Sequence, residues 1–150
     1  MSYIRFAAMI ATSVIVMYGL TYLNVYQAEH VLFSETRVYM ALVMGAAMAL
    51  IMLGYMLGMY RNRRANIGIV VASIATFAVA LWLARSQNTV QDVSWMKAMI
   101  PHHSIAILTS ERAQLSDPRV RQMARGIIES QRREIAEMQA LIRELEEARR

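Results

Sequence analysis

The 150-residue chain has no cysteine and only two prolines, and its 11 acidic residues are outnumbered by 16 lysines and arginines. Without cysteine there is no disulfide framework and no thiolate metal site, so any soft metal ligand must be methionine. Charge of either sign is missing from residues 6–23, 38–60 and 65–84. A soluble core helix carries charge on its outer face about once per turn, so these stretches need lipid or protein on every side. Each is near the 20 or so residues that cross a bilayer, and three transmembrane helices are predicted.

The net charge of +5 does not point to nucleic acid. The basic residues sit in one loop between spans or alternate with acids near the C-terminus, and no nucleic-acid footprint emerges. Arg61, Asn62, Arg63 and Arg64 join the second and third spans, whereas the first loop carries Glu29, Glu35 and only Arg37. The positive-inside rule then puts the N-terminus and Arg61–Arg64 in the cytoplasm, and the first loop and everything after Ala84 outside. The first span is long and lacks an A-x-A cleavage site, so it is expected to stay in place.

Beyond the spans the chain turns polar, with helical periodicity. Residues 85–92, RSQNTVQD, read as a linker whose Thr89 and Asp92 have capping-box spacing. A first helix is expected from about Asp92 to about Gln114, and a second from the N-cap Asp117 and Pro118 to the chain end, with pairs Glu129–Arg133 and Arg133–Glu137 on its rim. A turn near Leu115 would fold them into an antiparallel hairpin. Two helices bury too little surface to be stable alone. A second copy completing a four-helix bundle is the simplest partner, and the transmembrane helices are the other.

The hairpin carries residues that an ordinary amphipathic helix would not. The second helix has an apolar stripe of Val120, Ala124, Ile127, Ile128, Ile135, Met138, Leu141, Ile142 and Leu145, into which Gln131 and Glu134 intrude. On the first helix Asp92, Met96, Met99 and His103 recur at spacings of four, three and four, with His102 alongside. A lone histidine on an apolar face is ordinarily a hydrogen-bonded core residue, and a lone glutamate snorkels to the edge of its stripe. Folding about Leu115 sets His102 and His103 against Ile128 to Gln131, Met99 against the Gln131–Glu134 turn, and Asp92 and Met96 against Met138. The anomalies then gather in one layer, which favours a metal site. Pro101 either interrupts the helix hydrogen bonding beside the histidines or marks a restart there.

Imidazole and thioether donors without thiolate suit copper, and methionine favours Cu(I). Ferritin-type di-iron chemistry would need inward glutamates and Glu-x-x-His motifs that the chain lacks. Binding should weaken as pH falls through about 6.5, where histidine protonates. In the second span Met40, Met44, Met48, Met52 and Met56 recur every fourth residue, followed by Met59, and wind around the helix. That row is either a relay for Cu(I) or ordinary adaptable packing. Gly54 and Gly58 form a G-x-x-x-G contact motif.

The segments MIPHHSIAI and QRREIAEM resemble M-I-x-H-H-x-x-A-I followed by Q-x-x-E-I-x-x-M. That pattern is similar to the bacterial family called domain of unknown function 305, which is ferritin-like, helical, and includes extracytoplasmic copper-binding proteins. The resemblance covers about residues 90–145. It implies signature positions at Met99, His102, His103, Gln131, Glu134 and Met138, with Asp92 and Trp95 near the family's acidic and aromatic positions. One motif copy, where relatives can carry two, implies dimerisation.

The expectation is an all-α protein: a transmembrane region over residues 1–86 and an extracytoplasmic hairpin over residues 87–150, in a bacterial plasma membrane. Copper would be held by His102, His103, Met99 and Met138, with Glu134, Gln131, Met96 and Asp92 as supporting or alternative ligands. No activated nucleophile is present, so sequestration or delivery in copper tolerance is expected instead of catalysis. Expected partners are the bilayer, a second copy and other extracytoplasmic copper proteins. Two alternatives compete: a structural hairpin whose polar layer sets helix register without metal, and a transporter, disfavoured because the spans contain no acid or base.

Overall fold

The computed structural model describes residues 2–149. Among them are five α-helices, α1 (Tyr3–Leu20), α2 (Glu35–Met56), α3 (Arg63–Ser86), α4 (Asp92–Arg112) and α5 (Pro118–Glu147), with a short 3-10 turn at Ala28–His30 and no strand. The all-helical expectation is met. The chain forms two compact units, Met1–Thr21 with Thr36–Thr89, and Tyr22–Glu35 with Val90–Arg150.

In the first unit, α1, α2 and α3 are long and apolar enough to cross a membrane. At 1.5 Å per residue they run about 27, 33 and 36 Å, against a hydrocarbon core of about 30 Å. Their ends differ from the charge-free stretches because polar groups set them. Ser2 caps α1 by accepting from the Ile4 amide, and the guanidinium of Arg37 donates to the Thr21 carbonyl at 2.6 Å, satisfying an orphaned end of the same helix. Asn62 caps α3 by accepting from the Ala65 amide.

α2 stops at Met56 and not at Tyr60. Tyr60 peels away to a buried position where its ring meets Tyr3 and Phe6 at 4.9 and 5.4 Å, and its carbonyl accepts from the Asn66 side chain at 2.7 Å. Gly58 therefore lies beyond the helix, and the expected G-x-x-x-G motif does not form a helical face. The close approach occurs at Gly45, where a methyl group would collide with Val14 of α1. The methionine row splits: Met52 and Met56 pack on the Phe6, Ala49, Leu53 and Tyr60 core, while Met40, Met44 and Met59 are exposed.

The second unit is the hairpin of α4 and α5 together with the loop Tyr22–Glu35. Its core is Val93, Met96, Ile100 and Ile107 of α4 against Ile135, Met138 and Ile142 of α5, with Tyr26 and Leu32 from the loop packed on it. The expected hairpin forms, but its missing surface comes first from a source that the sequence did not suggest. The loop supplies it.

Three local expectations are corrected. Thr89 does not cap α4: its hydroxyl hydrogen-bonds the Tyr39 hydroxyl at 2.7 Å, and the N-cap Gln91 makes no side-chain cap bond. Pro101 does not restart the helix, since α4 runs unbroken through it with the ring buried in the core. The Glu129–Arg133 and Arg133–Glu137 pairs do not close among the described residues; α5 instead pairs with α4, Lys97 to Glu146 at 2.6 Å and Glu111 to Arg132 at 3.6 Å, and with its own N-cap, Arg119 to Asp117 at 2.8 Å. Asp117, by contrast, caps α5 as expected, accepting from the Arg119 amide at 2.8 Å.

Candidate metal-binding site

His103 of α4 meets Glu134 of α5, Nδ1 to Oε2, at 3.1 Å. That contact fixes the register. In an antiparallel pair, one step back along α4 is one step forward along α5, so Met99 lies level with Met138, one turn from the His103–Glu134 contact. Met99, expected against the Gln131–Glu134 turn from a fold centred on Leu115, is therefore displaced by about one to two helical turns. Residues 113–117 are non-helical, with Ala113 and Asp117 extended, and carry the chain past the end of α4 before α5 begins.

The layer that results is narrower than expected. His103, Glu134, Met99 and Met138 fall within about one turn, roughly 6 Å of axis, and Met138 and Met99 belong to or pack on the same core cluster. Gln131 joins them, its Nε2 donating to Glu134 Oε2 at 3.5 Å. Met96 is buried two turns below His103. Asp92 does not join: it is exposed in the first turn of α4, eleven residues and about 16 Å before His103. His102 is exposed at the rim, its ring centroid 6.3 Å from that of His103.

Charge and protonation follow from burial. Glu134 keeps 47% of its side chain exposed, so the intruding carboxylate sits at the edge of its stripe, as a snorkelling residue would, but its neighbour is a histidine and not an arginine. Burial pushes the His103 imidazole below the usual histidine value; Glu134 pulls it up and His102 pushes it down, both by less. The ring is thus biased toward its neutral, ligating form. Its Nδ1 is closed to solvent and, despite the 3.1 Å approach to Glu134, lies outside hydrogen-bond geometry, leaving a buried nitrogen without a hydrogen-bond partner. Among the described residues no three His, Asp or Glu side chains converge to hold an ion. Met138 in the core cluster and Met99 packed against it bring two thioether sulfurs to the same region.

A second polar cluster lies on the other side of α4. Ser104, fully buried, accepts from the Tyr26 amide at 2.6 Å and shares a 2.8 Å hydrogen bond with Nδ1 of His30, itself 6% exposed. These contacts fasten the loop to the hairpin. Burial lowers the His30 proton affinity, against a smaller opposing effect of Glu29. Sequence reasoning missed His30, Tyr26 and Ser104. The available signal was Ser104 itself, a polar residue one turn from both Ile100 and Ile107 on the core face.

Three apolar helices long enough to span a membrane, joined to a helical hairpin with a histidine–carboxylate–thioether layer, define the class of protein. The chain belongs to the family described as domain of unknown function (DUF305), whose model matches residues 72–142, from within α3 to near the end of α5. It is similar to an uncharacterized protein of Acanthamoeba polyphaga mimivirus, 35% identical over 104 residues that cover 65% of this chain and 68% of that one. No solved structure matches.

Proposed function

We propose that the protein is a membrane-anchored copper-binding protein that sequesters or hands on Cu(I) outside the cytoplasm. The observation that carries this reading is the buried Nδ1 of His103, which makes no hydrogen bond although Glu134 Oε2 stands 3.1 Å away, and which lies within about one turn of Met99 and Met138. A buried nitrogen without a partner costs free energy, and a soft cation would repay it. His103, Met99 and Met138 would hold the ion, His102 would close over it from the rim, and Glu134, which stands 3.1 Å from the same Nδ1, would give way to the ion or ligate it in turn, with Gln131 hydrogen-bonded to its carboxylate. Thioether and imidazole donors favour Cu(I) over zinc, magnesium or calcium. With no nucleophile activated beside the layer, binding and transfer are the supported chemistry.

The orientation rests on Arg61, Arg63 and Arg64 between α2 and α3, which keep that loop cytoplasmic and set the hairpin on the opposite side of a plasma or inner membrane. Self-association is part of the proposal. Val120 and Met123, beyond the end of α4, and Ile127, level with its last turn, expose an apolar strip along the start of α5. α5 is also electrically polarised: Arg119, Arg121, Arg125, Arg132 and Arg133 fill its first half against Glu129, and Glu134, Glu137, Glu144, Glu146 and Glu147 fill its second against Arg143. An antiparallel second copy would set each basic half on an acidic one.

The test is Cu(I) competition titration of the full chain in detergent, with Met99→Leu/Met138→Leu and His103→Ala beside the unaltered protein. Loss of roughly tenfold or more in affinity in both variants is expected. Equal affinity in all three would end the copper reading and leave a polar layer that sets helix register without metal.

A further inference from the structure

Between the loop and the outer side of the hairpin lies a cavity of about 410 Å³ that the copper reading does not use. Its polar lining is Arg132 and Gln139 from α5 and Tyr26, Gln27 and His30 from the loop. Its apolar lining is Ile107 of α4 with Ile135 and Ala136 of α5. We propose that this cavity is a binding site for a small carboxylic acid anion with a flat apolar body.

The charge of the lining selects the ligand. No lining residue is acidic, and Arg132 repels a cation, so the pocket is not a second metal site. Arg132 lies with its guanidinium carbon 6.0 Å from the centre of the Tyr26 ring, and its one carboxylate neighbour, Glu111, stands 3.6 Å off in a half-exposed pair. A guanidinium has five N–H donors in a planar fork matched to a carboxylate, and most remain free in this arrangement. The Ser104 hydroxyl accepts from the Tyr26 amide and shares a 2.8 Å hydrogen bond with His30 Nδ1; in the tautomer in which the hydroxyl donates to Nδ1, the His30 proton sits on Nε2 and adds a second donor beside Arg132. Gln27 and Gln139 supply carboxamides that can donate to the second oxygen.

The apolar side chains select a body as well as a charge. Ile107 and Ile135 form the nearly fully buried floor of the cavity, while the half-buried Tyr26 ring and the exposed Ala136 methyl give its wall apolar surface that a hydrated inorganic anion would not use. The volume falls within the roughly 300–1,000 Å³ range of small-molecule sites. The site also has a structural rationale. The same two hydrogen bonds to Ser104 that hold the loop down hold Tyr26 and His30 at the cavity wall, so the pocket is built before a ligand arrives.

The experiment is equilibrium dialysis of the full chain in detergent micelles with benzoate, its neutral isostere benzamide, and inorganic phosphate. Benzoate is expected to bind about tenfold or more tightly than either of the others. Arg132→Gln should erase the advantage over benzamide without changing thermal unfolding, since the side chain is half exposed. Ala136→Phe, which fills the cavity from an exposed helix position and leaves the charges alone, should abolish benzoate binding and so exclude uptake by the micelle. Equal binding of benzoate and benzamide, phosphate binding as tight as benzoate, or indifference to both substitutions would each overturn the proposal.

Discussion

The two flanks of α5 meet opposite fates. Taking the buried residues Ala124, Ile135, Met138 and Ile142 as the core direction, at 100° per residue, Arg132, Ala136 and Gln139 lie roughly 90° to one side and Met123, Ile127 and Leu141 roughly 80° to the other. The first flank faces the loop and its cavity. The second is open, with Met123 68% exposed. The flank beside the loop is the more polar of the two, with Arg132 and Ala136 still exposed at the mouth of the cavity, and the apolar flank has no neighbour among the described residues of the hairpin. The loop is tethered at Ser104, so the path of the chain decides which flank it approaches. A bare apolar flank marks where a further surface is needed.

The largest expected effect breaks the covered side. Ser104→Val removes the shared partner of the Tyr26 amide and His30 Nδ1, leaving two buried polar groups unsatisfied. A loss of about 3 kcal/mol is expected, together with fast hydrogen exchange across residues 22–35. Unaltered protection of the loop would mean that apolar contacts alone hold it. For the same reason residues 87–150 produced alone should unfold at lower temperature than the hairpin in the full chain, because they lack Tyr26 and Leu32.

Acid should loosen the same side. His30 and His103 have proton affinities lowered by burial, so the unfolded chain binds protons more readily than the folded one as pH drops through the ordinary histidine range. Their contribution is complete above about pH 6.5 and is lost as pH falls toward and through the lowered folded values. Thermal unfolding measured between pH 8 and 5 should show this decline, and His30→Gln should flatten part of it. A profile identical in the variant would remove His30 as a source of the acid sensitivity.

The open side should respond in association and not in folding. Met123→Glu places a charge on a side chain that is 68% exposed, so monomer stability should move by no more than about 0.5 kcal/mol. Sedimentation in detergent should nonetheless shift toward the monomer. If the species distribution stays the same, the strip is not where copies meet. Smallest of all, Lys97→Ala deletes the pair to Glu146, whose side chains are 32% and 47% exposed, and should cost less than about 1 kcal/mol in chemical denaturation.

The charge-free runs of the first unit, the Asp117–Pro118 start of α5 and the spacing of Met99, His103, Glu134 and Met138 were all written in the sequence. Each is a local pattern, read against a helix of fixed pitch. Helix ends were less legible. Tyr60 left α2 for an aromatic cluster with Tyr3 and Phe6, and Thr89 left its capping role for Tyr39; both choices depend on residues about 50 or more positions away.

The sequence by itself determined that the chain would be helical, that three helices could live in lipid, and that sulfur, imidazole and carboxylate would lie on facing helices. Only the tertiary structure decided the register that sets Met99 opposite Met138, the exclusion of Asp92, and the recruitment of Tyr22–Glu35 onto the hairpin. Periodicity fixes which way a side chain points from its own helix axis. It says nothing of how far an extended five-residue connection advances one helix past another, or of which distant hydroxyl a buried histidine finds.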